Sequence, residues 1–105
     1  MNRHFFVAAV ALVTLTFVPL ISHAKCVKDA AGFVYCSRQP TGGAAIDEGG
    51  TVQCGKGECR KDGGGTVHCS KVIGGGAELD AINIVRCLGG CELGSTEMCV
   101  RVERD

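Results

Sequence analysis

The most regular pattern along the chain is a five-residue phrase, Gly-x-Val-x-Cys, in which Val and Cys stand two positions apart. It occurs at residues 32–36, 50–54 and 65–69, and at 83–87 with Asn in place of Gly. Because side chains on a strand alternate between two faces, Val and Cys share one face, and the residue between them points away. The intervening residues are Tyr35, Gln53, His68 and Arg86. The phrase predicts a half-buried strand with its cysteine on the inner face, entered from a turn residue with positive φ.

These strands belong to an internal duplication. Residues 26–54 align without gaps with residues 59–87 at an offset of 33, and 13 of the 29 aligned positions are identical, three cysteines among them. Cys91 and Cys99 resemble the opening cysteine pair of a third, incomplete copy, 91–99. Repeats of this length are usually one supersecondary unit used more than once. We therefore expect an all-β, small disulfide-rich fold of two tandem β-hairpin repeats of ~33 residues plus a degenerate half-repeat.

Turn signals indicate where the hairpins reverse. Residues 28–32 and 61–65 each begin with Lys-Asp and end in Gly. An Asp side chain can accept a hydrogen bond from the backbone N–H two residues later in the chain, and Gly completes the reversal of chain direction. Both segments are therefore predicted as hairpin tips. Residues 77–88 also place apolar side chains at helical spacing, but their β-branched residues and their alignment with the first copy favour strand over helix.

The first 24 residues have the three-part layout of a secretory signal peptide. Arg3 and His4 are followed by an apolar stretch over residues 5–21, and Ser22-His23-Ala24 offers small residues at a cleavage site before Lys25. The competing interpretation is a membrane anchor, although the stretch is near the lower limit for spanning. We expect residues 1–24 to be removed, leaving a single cysteine-rich domain at 25–105 with no membrane span, secreted or periplasmic.

Composition narrows the possible function classes. Cleavage would leave 105 − 24 = 81 residues holding all eight cysteines and all 16 glycines, with 10 basic and 11 acidic side chains. This balance excludes a nucleic-acid binder driven by basic charge, and the short chain excludes a multidomain enzyme. A cysteine density of about one in ten is typical of secreted domains whose disulfides compensate for a small core.

Cysteine pairing follows from the repeat only as a hypothesis. Pairs Cys26–Cys36 and Cys59–Cys69 would close equivalent hairpins, Cys91–Cys99 would close the half-repeat, and Cys54–Cys87 would join the two copies. The main rival scheme pairs across the longer loops, as Cys36–Cys54 and Cys69–Cys87.

Motifs for chemistry are weak. The Cys-x-x-Cys knuckle of many zinc sites is absent from the sequence, and oxidation would remove thiolate ligands. His68 is the only histidine after residue 24, and it occupies the outward position of a predicted strand, where it is expected to face solvent. We expect no enzymatic activity, no catalytic residues, no metal site and no cofactor. The loop 37–41 is a candidate contact for a partner, with an ordinary connecting loop as the simpler interpretation.

The sequence thus predicts an exported, disulfide-stapled, non-enzymatic protein with a structural or binding role. Its partner would be an unknown protein or an envelope component, in an unknown oligomeric state. Two alternatives stay open: a cysteine-based protein that binds zinc or copper, and a loop-based inhibitor of an extracellular enzyme.

Overall fold

The computed structural model describes residues 24–102, and these residues form an all-β structure. The predicted signal peptide lies outside them, except for Ala24. The strands are β1 Cys26–Lys28, β2 Val34–Ser37, β3 Ala44–Ile46, β4 Val52–Cys54, β5 Cys59–Lys61, β6 Val67–Ser70, β7 Ala77–Leu79, β8 Val85–Cys87, β9 Cys91–Leu93 and β10 Cys99–Arg101, with a 3-10 helix at Thr96–Met98. Within 24–102, no helix is long and apolar enough to cross a membrane.

Four antiparallel hairpins make up the two repeats. Hairpin 1 (26–37) pairs β1 with β2, hairpin 2 (44–54) pairs β3 with β4, hairpin 3 (59–70) pairs β5 with β6, and hairpin 4 (77–87) pairs β7 with β8. Strands β5 to β8 each begin 33 residues after β1 to β4. The duplication seen in the sequence is therefore also a duplication of structure, and residues 77–88 contain two strands, as favoured.

The hairpins stack one on another. Strands β1, β3, β5 and β7 lie side by side in that order. In hairpin 2, the strand face that carries Val52 and Cys54 packs with Val27 and Tyr35 of hairpin 1, while Ala45 packs against the core of hairpin 3. Each hairpin thus has one face toward the preceding unit and one toward the next. The core is a series of thin layers between hairpins, which is how a chain with few large apolar residues can bury them.

The predicted phrase forms a strand in all four hairpins, and the burial of both its Val and its Cys is confirmed in hairpins 2 and 3. Val52, Cys54, Val67 and Cys69 are buried. The first residue of each phrase, which closes the turn, has a positive φ, namely 97° at Gly32, 87° at Gly50, 92° at Gly65 and 66° at Asn83. Asn is the residue other than Gly that best tolerates this left-handed conformation, which explains why it can replace Gly at the fourth turn.

The C-terminal segment (91–101) does not form a hairpin of its own. Strand β9 adds to β6, with Cys91 opposite Ser70, and β10 adds to β2, with Cys99 opposite Ser37. Ser70 is the repeat equivalent of Ser37, so the segment supplies the same third strand to each repeat. The two cysteines of the half-repeat are thereby placed in different repeats.

Disulfide pairing follows from this arrangement. Cys26–Cys36 and Cys59–Cys69 close hairpins 1 and 3, as expected. The expected pairs Cys91–Cys99 and Cys54–Cys87 are wrong, because the structure has Cys54–Cys99 and Cys87–Cys91. The rival scheme is wrong too. Since β10 lies on the first repeat and β9 on the second, each delivers its cysteine to the equivalent position of its own repeat, and each repeat holds two bridges.

Candidate functional site

An aspartate at each of the four hairpin tips makes the same set of hydrogen bonds to the backbone of its turn. Each tip begins with an aspartate whose Oδ1 accepts hydrogen bonds from the backbone N–H groups two and four residues further on, at 2.9–3.0 Å. The four are Asp29, Asp47, Asp62 and Asp80. The third and fourth of these turns repeat the first and second at the offset of 33. These carboxylates therefore shape the turns.

Three of the four aspartates have a second partner, the residue between Val and Cys of the strand phrase in the same hairpin. Asp47 Oδ2 accepts from Gln53 Nε2 at 3.0 Å, Asp80 Oδ2 accepts from Arg86 Nε at 2.9 Å, and Asp62 Oδ2 lies 2.8 Å from His68 Nε2. We call Asp47, Asp62 and Asp80 the bridged aspartates. Backbone N–H donors, above all those of Thr51, Thr66 and Ile84 respectively, hold the pKa of each below its ordinary value of 3.8. Hydrogen bonds to the charged form cause this lowering.

His68 is more constrained than the sequence indicated. Its side chain is 28% exposed and bound to Asp62, whereas we expected it to face solvent freely. In hairpin 3 it shares a strand face with Arg60, whose Nε donates to Ala77 O in hairpin 4 at 3.2 Å. The face of hairpin 3 that carries His68 therefore points toward hairpin 4, which could not be predicted from an isolated strand.

All eight cysteines are in disulfides, so none offers a free thiolate. Residues 24–102 also contain no group of three His, Cys, Asp or Glu side chains placed to hold a metal ion. Thiolate ligands for zinc or copper would require reduction of the bridges. The described bridges point instead to an oxidising environment.

The loop 37–41 links structural elements. Ser37 Oγ is buried and donates to Gly55 O at 2.9 Å, and Arg38 Nε donates to Glu97 O at 2.8 Å. Ser70 Oγ makes the equivalent bond to Leu88 O. The loop therefore holds hairpin 1 to hairpin 2 and to the C-terminal segment.

Exposed apolar side chains are concentrated around hairpin 4. Six of them are between 41% and 68% exposed: Val72, Ile73, Leu79, Ile82, Ile84 and Leu88, which we call the apolar rim. Their equivalents in the first repeat are Gln39, Pro40, Ile46, Gly49, Thr51 and Gly55. Five of the six positions are thus Gln, Pro, Thr or Gly in one repeat and large and aliphatic in the other. The gapless alignment contained this difference, but exposure could not be assigned without the stack.

The rim has two parts, at opposite ends of hairpin 4. Leu79, Ile82 and Ile84 lie at the tip, and Val72, Ile73 and Leu88 lie near the base. Exposed apolar residues scattered singly are normal, but a group gathered on one unit marks a surface suited to contact with another molecule. This rim is the candidate functional site. No family model, curated protein or solved structure matches the chain.

Proposed function

We propose that this chain is a non-enzymatic binding or structural protein of an oxidising, extracytoplasmic compartment, and that it acts through the apolar rim. The observation that carries the proposal is the asymmetry between the repeats. The same backbone holds large aliphatic side chains around hairpin 4, where the first repeat holds mainly small or polar ones. A purely scaffolding role gives no reason for this difference, because the fold accepts the small residues.

The rest of the molecule supports a role in binding. The Cys59–Cys69 bridge closes the base of hairpin 3, and the Cys87–Cys91 bridge ties the end of hairpin 4 to β9. These bridges restrict the backbone that displays the rim, so less conformational entropy is lost when a partner binds. The bridged aspartates and His68 are engaged in the turns. Their hydrogen bonds give these groups a structural role that needs no substrate.

The test compares capture by two variants. Ile82→Ala with Ile84→Thr replaces two rim residues by those found at Ala31 and at Thr51 and Thr66, equivalent tip positions the fold already accommodates. Pro40→Ala, at the first-repeat equivalent of exposed Ile73, serves as the control. Immobilised oxidised protein is exposed to secreted and envelope fractions of the source cells. Any retained species other than the chain itself is then purified and titrated against each variant.

The expected result is a retained partner that binds the control like the original protein and binds the rim variant about tenfold or more weakly, as for removal of central apolar contacts. Equal binding of the partner by the original protein, the control and the rim variant would show that the rim is not the binding surface. Turnover of a substrate by the oxidised protein, or recovery of the chain with free thiols and a stoichiometric metal, would contradict the non-enzymatic, disulfide-based function as a whole.

A further inference from the structure

The hairpin tips are joined by a ladder of backbone hydrogen bonds. The N–H of the residue after each turn aspartate donates to the carbonyl of the positive-φ residue in the next hairpin. The bonds run from Ala30 to Gly50 at 3.1 Å, from Glu48 to Gly65 at 3.1 Å and from Gly63 to Asn83 at 3.0 Å. In the described residues, this ladder leaves the Ala81 N–H without a partner at one end and the Gly32 carbonyl without one at the other. The ends are complementary, donor to acceptor.

Within residues 24–102, one face of hairpin 1 is also largely uncovered. In hairpin 3, Cys59 is 7% exposed, Val67 2% and Cys69 0%, because hairpin 2 packs over them. Their equivalents in hairpin 1 are less buried: Cys26 is exposed, and Val34 and Cys36 are half-buried. A Cβ placed on Gly50 or Gly65 would collide with the preceding tip, while one on Gly32 would meet nothing within 4 Å. Hairpin 1 thus exposes a surface equivalent to the one on hairpin 3 against which hairpin 2 packs.

The side chains at the two terminal tips match. Phe33 in hairpin 1 and Ile82 and Ile84 in hairpin 4 are exposed and apolar, whereas the corresponding positions of the two internal tips hold Gly or Thr. If hairpin 4 stacked on hairpin 1 of another copy as hairpin 2 stacks on hairpin 3, Ile82 and Ile84 would lie beside Phe33. Along the adjoining strands, Glu78 would approach the exposed Lys28, an opposite charge.

From this continuity we propose that the partner of the tip half of the apolar rim is a second copy of this chain, stacked head to tail with hairpin 4 on hairpin 1. The inference rests on the proposed function, because it uses the same rim as a binding surface. The contact is heterologous, so a pair of copies still has one free hairpin 1, on one copy, and one free hairpin 4, on the other. Such contacts extend into short open chains or close into rings.

Two residues limit how closely the copies approach: Leu88, and Val102, which has on hairpin 1 the position that Gly94 has on hairpin 3. Leu88 occupies the position of Gly55, where an added Cβ would come within 2.5 Å of Cys69 Cβ in the neighbouring hairpin. Leu88 therefore holds the base of the incoming hairpin 1 away and concentrates the contact at the tips. Removing the Leu88 side chain should therefore strengthen association, whereas removing the apolar side chains at the tips should weaken it.

The test measures the dissociation constant by sedimentation velocity across a wide range of concentrations of the oxidised exported chain. Thermal unfolding and disulfide mapping verify that each variant folds. Ile82→Ala with Ile84→Thr weakens association about tenfold, and Phe33→Thr does the same from the other side of the contact. Leu88→Gly tightens association about tenfold, while the control Pro40→Ala leaves it unchanged.

A mixing experiment tests the direction of the contact. The Ile82→Ala/Ile84→Thr protein keeps an intact hairpin 1 surface, and the Phe33→Thr protein keeps an intact hairpin 4 surface. Mixed in equal amounts, they regain heterodimers at the original affinity, but they do not grow beyond two copies. A symmetric contact of rim on rim would give no such recovery.

Three outcomes overturn the proposal: a protein that stays monomeric at millimolar concentration, weaker association on Leu88→Gly, or no recovery on mixing. None of them touches the proposed function if a different retained partner still loses affinity for the rim variant. Conversely, if no other molecule is retained but the chain associates with itself as expected, only the binding of an external partner is contradicted.

Discussion

Replacing valine by alanine at each of two equivalent positions, in separate variants, measures how much the stacking of hairpins contributes to the free energy of unfolding. Val67 and Val34 occupy the same place in hairpins 3 and 1, each between a turn glycine and a disulfide-bonded cysteine. Val67 is 2% exposed beneath hairpin 2, whereas Val34 is half-buried at the open end of the stack. The two substitutions Val67→Ala and Val34→Ala therefore remove the same atoms from a covered and an uncovered layer.

The expected cost follows from burial. Removing two methyl groups from a fully buried site loses about 0.8 kcal/mol for each, and the cavity left behind raises the total to about 2 kcal/mol at Val67. Val34 already meets solvent, so its truncation should cost about 1 kcal/mol. For a domain of this size, each kcal/mol shifts the melting temperature by about 4–8 °C, which separates the variants clearly.

The assay is thermal and denaturant unfolding with the disulfides intact. Low protein concentration is needed, because a second copy stacked on hairpin 1 would bury Val34 as well. The reasoning would be refuted if Val34→Ala cost as much as Val67→Ala under these conditions, since the layers would then not depend on the neighbouring hairpin. A rising cost of Val34→Ala with concentration would instead support end-to-end association.

Three further predictions concern the bridges, the turns and pH. Replacing both cysteines of the Cys54–Cys99 bridge by alanine should cost about 4 kcal/mol and replacing those of Cys87–Cys91 about 2 kcal/mol, because the closed loops span 45 and 4 residues; urea unfolding of the two double variants compares them. Asn83→Ala should cost about 1 kcal/mol, while Asn83→Gly should be nearly neutral, as judged by melting temperature, because the native φ is positive. Folding lowers the pKa of each bridged aspartate, so their contribution to stability is present above the ordinary pKa and is lost as pH falls through the lowered values; the melting temperature should be flat above about pH 5 and fall below about pH 4. A melting temperature that rises on acidification would contradict the role given to these carboxylates.

Local structure was largely predictable from the sequence, because it depends on contacts within one hairpin. The spacing of Val and Cys places both on one strand face, and the residue before them must reverse the chain, so strands, turns and the bridge Cys26–Cys36 follow together. The helical spacing over 77–88 misleads only if the repeat is ignored. The alignment puts these residues on the strands of the first copy.

Contacts between hairpins were harder to predict, and Cys54 and Cys87 illustrate why. They are equivalent in the duplication, and joining them to each other treats them as one symmetric pair. Because Cys54 and Cys87 have equivalent surroundings, each should have its own equivalent partner. Once the hairpin pairs are formed, Cys91 and Cys99 are the two remaining cysteines, and each bonds to one of them. The sequence contained this symmetry argument, but the positions of β9 and β10 on separate repeats were needed to see that it applies.

His68 shows the same limit for the candidate site. An alternating pattern assigns it to the outer face of a strand, which is correct for an isolated hairpin. In the stack, that face meets the next hairpin, and the side chain turns to Asp62 six residues earlier. The apolar rim escaped prediction for a related reason, because large aliphatic residues at 79–88 resemble core until the absence of a fifth hairpin in the described residues leaves them exposed.

The return of the C-terminal segment to both repeats has a consequence for the order in which the disulfides form. Cys26 and Cys36 emerge close together and can oxidise as soon as hairpin 1 forms, but Cys54 must wait for 45 more residues before its proper partner arrives. During that interval its thiol is exposed to the wrong neighbours, Cys59 above all, only five residues away. Thiol–disulfide exchange should therefore set the rate at which this protein reaches its native form.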